Sequence, residues 1–155
     1  MKIKLIALGS KMPSWVEDGF KEYQKRLNPE IQLELVEASI AKRTKTGSIN
    51  KWLKEEAEII NQLLKPQDYL IILDSKGKLH STESLSERLI NWREVGKTIV
   101  ILIGGPDGID ESIKQKANES ISLSKMTFPH PLVRIIIAEQ TYRALSIIKG
   151  HPYHK

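Results

Sequence analysis

The chain contains no cysteine, which excludes disulfides, thiolate nucleophiles and cysteine-held metals. Aromatic residues make up only 6% against 40% apolar overall, the composition of a soluble globular chain. No stretch approaches the roughly 18 to 20 uninterrupted apolar residues of a membrane span, so no membrane partner is expected. The opening MKIKLIALGS has an apolar part too brief for a signal peptide and reads better as a first strand, which points to the cytoplasm. Four histidines, His80, His130, His151 and His154, fit no metal template with the acidic residues, and no metal is expected. The G-x-G-x-x-G and P-loop patterns are also missing.

What is present suits one domain spanning residues 1–155, large enough for a real core. A net charge of +5 fits an anionic partner, although charge alone is weak evidence. Lys2 to Leu8 predicts a strand ending at Gly9, and Ser14-x-x-Glu17 has the form of a capping box opening a helix with Val16, Phe20, Tyr23 and Leu27 on one face. Ile31 to Val36 alternates as a half-buried strand. Asn50 to Leu64 predicts a second helix, and Tyr69 to Leu73 a strand buried on both faces, with Lys76-Gly77-Lys78 turning the chain. A third helix, capped by Ser81 or Thr82, closes at Gly96. A second fully apolar strand, Thr98 to Ile103, runs into Gly104-Gly105-Pro106-Asp107-Gly108. Asp110 caps a fourth helix, and Ile121 to Leu123 is a last short strand.

Strands alternating with helices predict an α/β fold, a mostly parallel sheet with helices on both faces. Ligands in such folds bind beyond the carboxyl ends of the strands, where the loop after Leu73, the glycine loop and the loop Ser124 to His130 would meet. The glycine loop reads either as a tight turn or as a backbone wall that a ligand approaches closely. Lys42 to Gly47 is the one concentrated basic loop, either a solvated connection or an arm for phosphates.

The last helix is predicted from Leu132, with Phe128 and His130 left in a loop by Pro129 and Pro131. It is apolar almost all round, yet carries Arg134, Glu139 and Arg143. Glu139 and Arg143 stand at i,i+4, as an ion pair on a wet edge or as one wall of a site.

Four motifs, Ile103 to Gly108, Leu123-Ser124-Lys125-Met126-Thr127-Phe128-Pro129-His130, Glu139-Gln140-x-Tyr142-Arg143-Ala144 and His151-Pro152-Tyr153-His154-Lys155, together resemble the bacterial large-subunit ribosomal RNA pseudouridine N3-methyltransferase H family of the SPOUT superfamily. The resemblance covers the whole chain. It implies a C-terminal deep trefoil knot, a homodimer with a composite active site, and S-adenosyl-L-methionine bound at Leu73, Gly104, Gly105, Leu123, Ser124, Lys125, Met126, Thr127 and Phe128. It further implies a pseudouridine of large-subunit (23S) rRNA in the assembled ribosome as methyl acceptor. Glu139, Arg143, His130, Tyr153 and His154 are then the catalytic candidates, with the tail reaching the partner's site. Lys42, Arg43, Lys45 and Lys155 are the RNA contacts, Lys155 standing where many relatives carry arginine. A non-catalytic ribosome-binding factor of the same fold would show ribosome association without cofactor affinity.

Overall fold

The computed structural model describes residues 1–155 as ten alternating elements. These are β1 (Lys2–Leu8), α1 (Ser14–Leu27), β2 (Gln32–Ala38), α2 (Ile49–Leu63), β3 (Tyr69–Leu79), α3 (Thr82–Val95), β4 (Ile99–Ile103), α4 (Glu111–Lys116), β5 (Glu119–Ser122) and α5 (His130–Ile148). Every strand pair is parallel, in the order β2-β1-β4-β3-β5. Strand periodicity sends Ile3, Leu5 and Ala7 of β1 and Ile99, Ile101 and Ile103 of β4 to one face, where α1, α3 and α5 cover them. Ile6, Leu8, Val100 and Leu102 face the other way, toward Ala57 and Ile60 of α2 and Ile113 of α4. The α/β architecture with helices on both faces is therefore as expected from the alternation of elements. No helix is long and apolar enough to cross a membrane.

Local boundaries differ from the sequence reading in several places; β5, for one, runs Glu119–Ser122 rather than Ile121 to Leu123. Ser14 does not form a capping box: it is already the first residue of α1, Pro13 occupies the cap position, and no side chain caps the helix. His130 belongs to α5 rather than to the preceding loop, because extended Pro129 caps the helix and its carbonyl accepts from the Leu132 and Val133 amides. Pro131 is thus second in the helix, still within the first turn, where its missing N–H leaves nothing unpaired. Finally, β3 does not stop at Leu73.

Ile121 of β5 is in register with both Leu73 and Lys78 of β3, so residues 74–77 form an irregular arch between the two pairings. Gly77 lies against the backbone of β5: a Cβ there would sit 2.6 Å from the Ile121 carbonyl carbon and 2.7 Å from its nitrogen. Asp74 Oδ1 accepts from the Lys76 amide at 3.0 Å, which holds the Asp74 carboxyl below its usual range, burial opposing.

At the amino-terminal ends of the strands, Glu119 accepts from Tyr69 Oη at 2.8 Å, from Trp92 Nε1 at 2.9 Å and from Arg88. Burial by itself raises the Glu119 carboxyl, but the Arg88, Trp92 and Tyr69 donors outweigh it and the net displacement is downward. Glu119→Ala strands three donors, and chemical denaturation is expected to show a loss of about 3 kcal/mol at neutral pH. A carboxyl lowered on folding stabilises fully above its ordinary value of 4.5 and loses that contribution as pH falls through the folded value. The deficit of the variant therefore shrinks in acid; a pH-independent deficit would contradict this account.

Candidate functional site

A cavity of about 610 Å³ opens at the carboxyl ends of the strands. Its walls come from the β1–α1 loop (Gly9, Ser10, Met12), the middle of β3 where the arch begins (Leu73, Asp74), the glycine loop (Gly104, Gly105) and the segment from Leu123 to Phe128, with His130 beside them. All nine residues named above as cofactor contacts line this one cavity. Gly104 is required by its own turn, since a Cβ would stand 2.7 Å from Ile109 and 2.9 Å from the Gly108 carbonyl oxygen. Gly108, at φ +88, sits in the left-handed region, and its amide closes the turn on the Gly105 carbonyl at 3.1 Å. Met126 lies 73% exposed at the lip.

His130 is tied to this wall. Its Nδ1–H donates to the Gly104 carbonyl at 3.2 Å, and Nε2 is buried with no partner. Burial, reinforced by the nearby Arg134 guanidinium, pushes the imidazole below its ordinary value, so the ring is neutral at physiological pH. Arg134 itself is 1% exposed, donating to Glu37 Oε2 at 2.8 Å and to the Gly9 carbonyl at 2.9 Å. It thereby pins the β1–α1 loop at the cavity edge. The sequence had flagged its charge on an apolar helix without assigning it this task.

The remaining catalytic candidates form a second cluster. Glu139 Oε1 accepts from Arg143 Nε at 2.7 Å and from Tyr153 Oη at 3.2 Å, while Gln140 donates to Oε2 at 2.7 Å. Arg143 packs its guanidinium 4.6 Å from the Tyr153 ring centroid and lies 3.5 Å from His154 Nδ1. The tail thus folds back on its own α5 instead of fraying. Burial first, then neighbouring Tyr23 and the Glu139 carboxylate, push the Tyr153 phenol up to about 12, which makes it a donor at neutral pH. Nine residues separate His130 from Glu139 along α5, a rise of about 14 Å. Within one chain, then, the cavity and the tail cluster are apart. Leu132, Ile136, Glu139 and Arg143, all half-exposed, make a stripe running from one to the other.

Lys42, Lys45 and Lys155 are exposed, as phosphate contacts must be. Arg43 differs: it is paired with Glu56 and Asp107.

The family model described as Predicted SPOUT methyltransferase matches residues 1–154. The chain belongs to the SPOUT methyltransferases. It is 60% identical to the ribosomal RNA large subunit methyltransferase H of Francisella tularensis subsp. novicida, over 155 residues and the full length of both chains. Proteins of the same name from Hahella chejuensis and Pseudomonas aeruginosa are 45% and 42% identical, each over the whole of this chain and 99% and 100% of the relative. SPOUT methyltransferases take their methyl group from S-adenosylmethionine. For this SPOUT protein the cavity suits that group: its lining combines the glycine backbone of Gly104 and Gly105, the small side chains of Ser124 and Thr127, and the apolar Leu73, Leu123 and Phe128.

Proposed function

We propose that this enzyme methylates N3 of a pseudouridine in large-subunit ribosomal RNA, as a cytoplasmic homodimer acting on assembled ribosomes. The observation that carries the reading is the convergence of all nine cofactor candidates on one cavity, in a chain matched end to end by large-subunit rRNA methyltransferases. When bound there, S-adenosylmethionine supplies an electrophilic methyl on a sulfonium. Leu73, Gly104, Gly105 and Leu123 to Phe128 hold and orient it. The arch at 74–77, crossing the end of β5, supports a knotted path for the C-terminal segment.

The separation of the two clusters supports the dimer. A second copy packed antiparallel along the half-exposed stripe of α5 brings the tail of one protomer to the cavity of the other. Glu139, Arg143, Tyr153 and His154 then complete the pocket in trans.

Their partners distribute the roles. N3 of pseudouridine must lose a proton as it gains the methyl. Glu139 accepts from Gln140, Arg143 and Tyr153, so both of its carboxylate oxygens are already engaged. It orients Arg143 and Tyr153. His154 takes the proton, with Arg143 beside it to favour the developing N3 anion and Tyr153 stacking on the base. His130, neutral and locked to Gly104, holds the cavity wall. Lys42, Lys45 and Lys155 meet RNA phosphates.

Labelled methyl transfer to intact ribosomes, free large subunits and naked rRNA, with the product nucleoside identified, tests the reading. N3-methylpseudouridine formed on intact ribosomes supports it. Methyl in another nucleoside, or ribosome association without cofactor affinity, would overturn it.

A further inference from the structure

Arg43 sits in the most basic loop of the chain, yet its guanidinium is committed. Nη1 donates to Glu56 Oε2 and, at 2.8 Å, to the Ala41 carbonyl. Nε and Nη2 reach Asp107 Oδ2 at 3.3 and 2.9 Å. The group also lies 5.3 Å from the Trp52 ring centroid. These contacts occupy the three guanidinium nitrogens that would grip a phosphate.

Glu56 explains why. It stands on the stripe of α2 that carries Trp52 and Ile60, and is 1% exposed. Its Oε2 also accepts from the Ala41 amide at 3.1 Å, while Oε1 has no partner and lies 3.2 Å from where a Cβ on Gly105 would be. A carboxylate so buried needs its cation, so Glu56 fixes Arg43. Arg43 in turn fixes Asp107, inside a loop whose glycines supply no stiffness of their own.

We infer that Arg43 is a positioning residue for the cofactor cavity rather than an RNA contact: Glu56, Arg43 and Asp107 form a strut that sets the Gly104–Gly108 wall. The functional half of this statement rests on reading that cavity as the S-adenosylmethionine site; the mechanical half does not.

The test uses the full-length chain and three readouts: amide hydrogen exchange without ligand, calorimetric affinity for S-adenosylmethionine, and the salt dependence of ribosome binding. Asp107→Asn leaves the buried Glu56–Arg43 pair intact and so preserves the fold. It is expected to speed exchange of the Gly105, Asp107, Gly108 and Ile109 amides on the order of tenfold, the change from weakening the two hydrogen bonds that Arg43 makes to a charged group. Affinity for S-adenosylmethionine should fall by about the same factor, and the salt slope of ribosome binding should stay as in the parent. Arg43→Gln also leaves the buried Glu56 carboxylate without its cation and so costs stability; its diagnostic readout is the salt slope of ribosome binding, which should stay as in the parent. A Lys42→Ala, Lys45→Ala double variant should give the converse, a shallower salt slope with unchanged exchange and cofactor affinity. Unchanged exchange in Asp107→Asn, or a salt slope reduced by Arg43→Gln as by the lysine variants, overturns the strut. Faster exchange with parental cofactor affinity overturns its role at the cavity. A parent that binds no S-adenosylmethionine overturns the cavity reading and leaves the strut standing on exchange alone.

Discussion

A chain lacking Tyr153, His154 and Lys155 is expected to lose methyl transfer by about a thousandfold while its affinity for S-adenosylmethionine changes less than about threefold. Every residue that lines the cavity lies at or before Val133, and the tail contributes none of them, so its removal leaves the binding wall whole. On the proposed mechanism, what goes is the group that takes the proton and the ring that stacks on the acceptor. Arg143 also loses Tyr153 and His154 as neighbours, and is then held by Glu139 alone. Single-turnover transfer on ribosomes, set beside calorimetry with S-adenosylmethionine, separates the two quantities. A fall in cofactor affinity matching the fall in rate would sink this division of labour. So would two inactive variants, the truncation and His130→Ala, that failed to complement each other in mixed dimers. Restored transfer in the mixture is the signature of a pocket shared between copies.

Gly77→Ala is the second large effect, and the sequence gives little warning of it. The three nearest neighbours of the added carbon are backbone atoms, at 2.6, 2.7 and 2.8 Å, and backbone in a paired strand cannot yield as a flexible side chain does. The arch at 74–77 must lift off β5, breaking the second pairing of Ile121. About 3 kcal/mol of stability should go, the upper range for overpacking. Cofactor affinity should fall with it, because Leu73 and Asp74 at the foot of the arch line the cavity. Gly96→Ala is the matched control: nothing lies within 4 Å of its added carbon, although its φ of +67 exacts a modest strain. Urea unfolding of the two variants decides the matter. Equal, small losses would mean that the arch is free to move.

Much of this could be read from residue patterns, for identifiable reasons. β1, alternating lysine with apolar residues, and the wholly apolar β4 each run into a glycine, and three of the five helices carry their caps in the sequence: Ser48, Ser81 and Asp110 each accept a backbone amide as such residues should. The three loops at the carboxyl ends of the strands were located by topology alone, before any resemblance was invoked. What escaped depends on contacts between residues distant in sequence. The extension of β3 past Leu73 runs through Asp74, Ser75, Lys76 and Gly77, polar and small residues that read as a turn and pair only because β5 lies alongside. Arg43 reads as one more base in a basic loop until Glu56 and Asp107 are seen beside it. A trace of Glu56 was there to find: a carboxylate on an otherwise apolar helical stripe needs a partner. Arg134 is the same lesson on α5, since a lone guanidinium on an apolar helix needs an anion or carbonyl within reach, here the exposed Glu37 carboxylate and the Gly9 carbonyl.

The strand order has a further consequence for how the chain is made. β1 closes on β4, Ile3 opposite Ile99, and β3 also finds its first neighbour in β4. A nascent chain that has exposed its first three strands can pair only β1 with β2, leaving β3 without an edge to join. The sheet becomes a continuous surface only when residues beyond Ile103 emerge, and the α5 layer still later, so nearly the whole polypeptide must leave the exit tunnel before it has a native core. Such late closure carries a high entropic cost and slow folding. On the function proposed above, the protein spends its synthesis as an unfinished client of the same kind of particle that it later modifies.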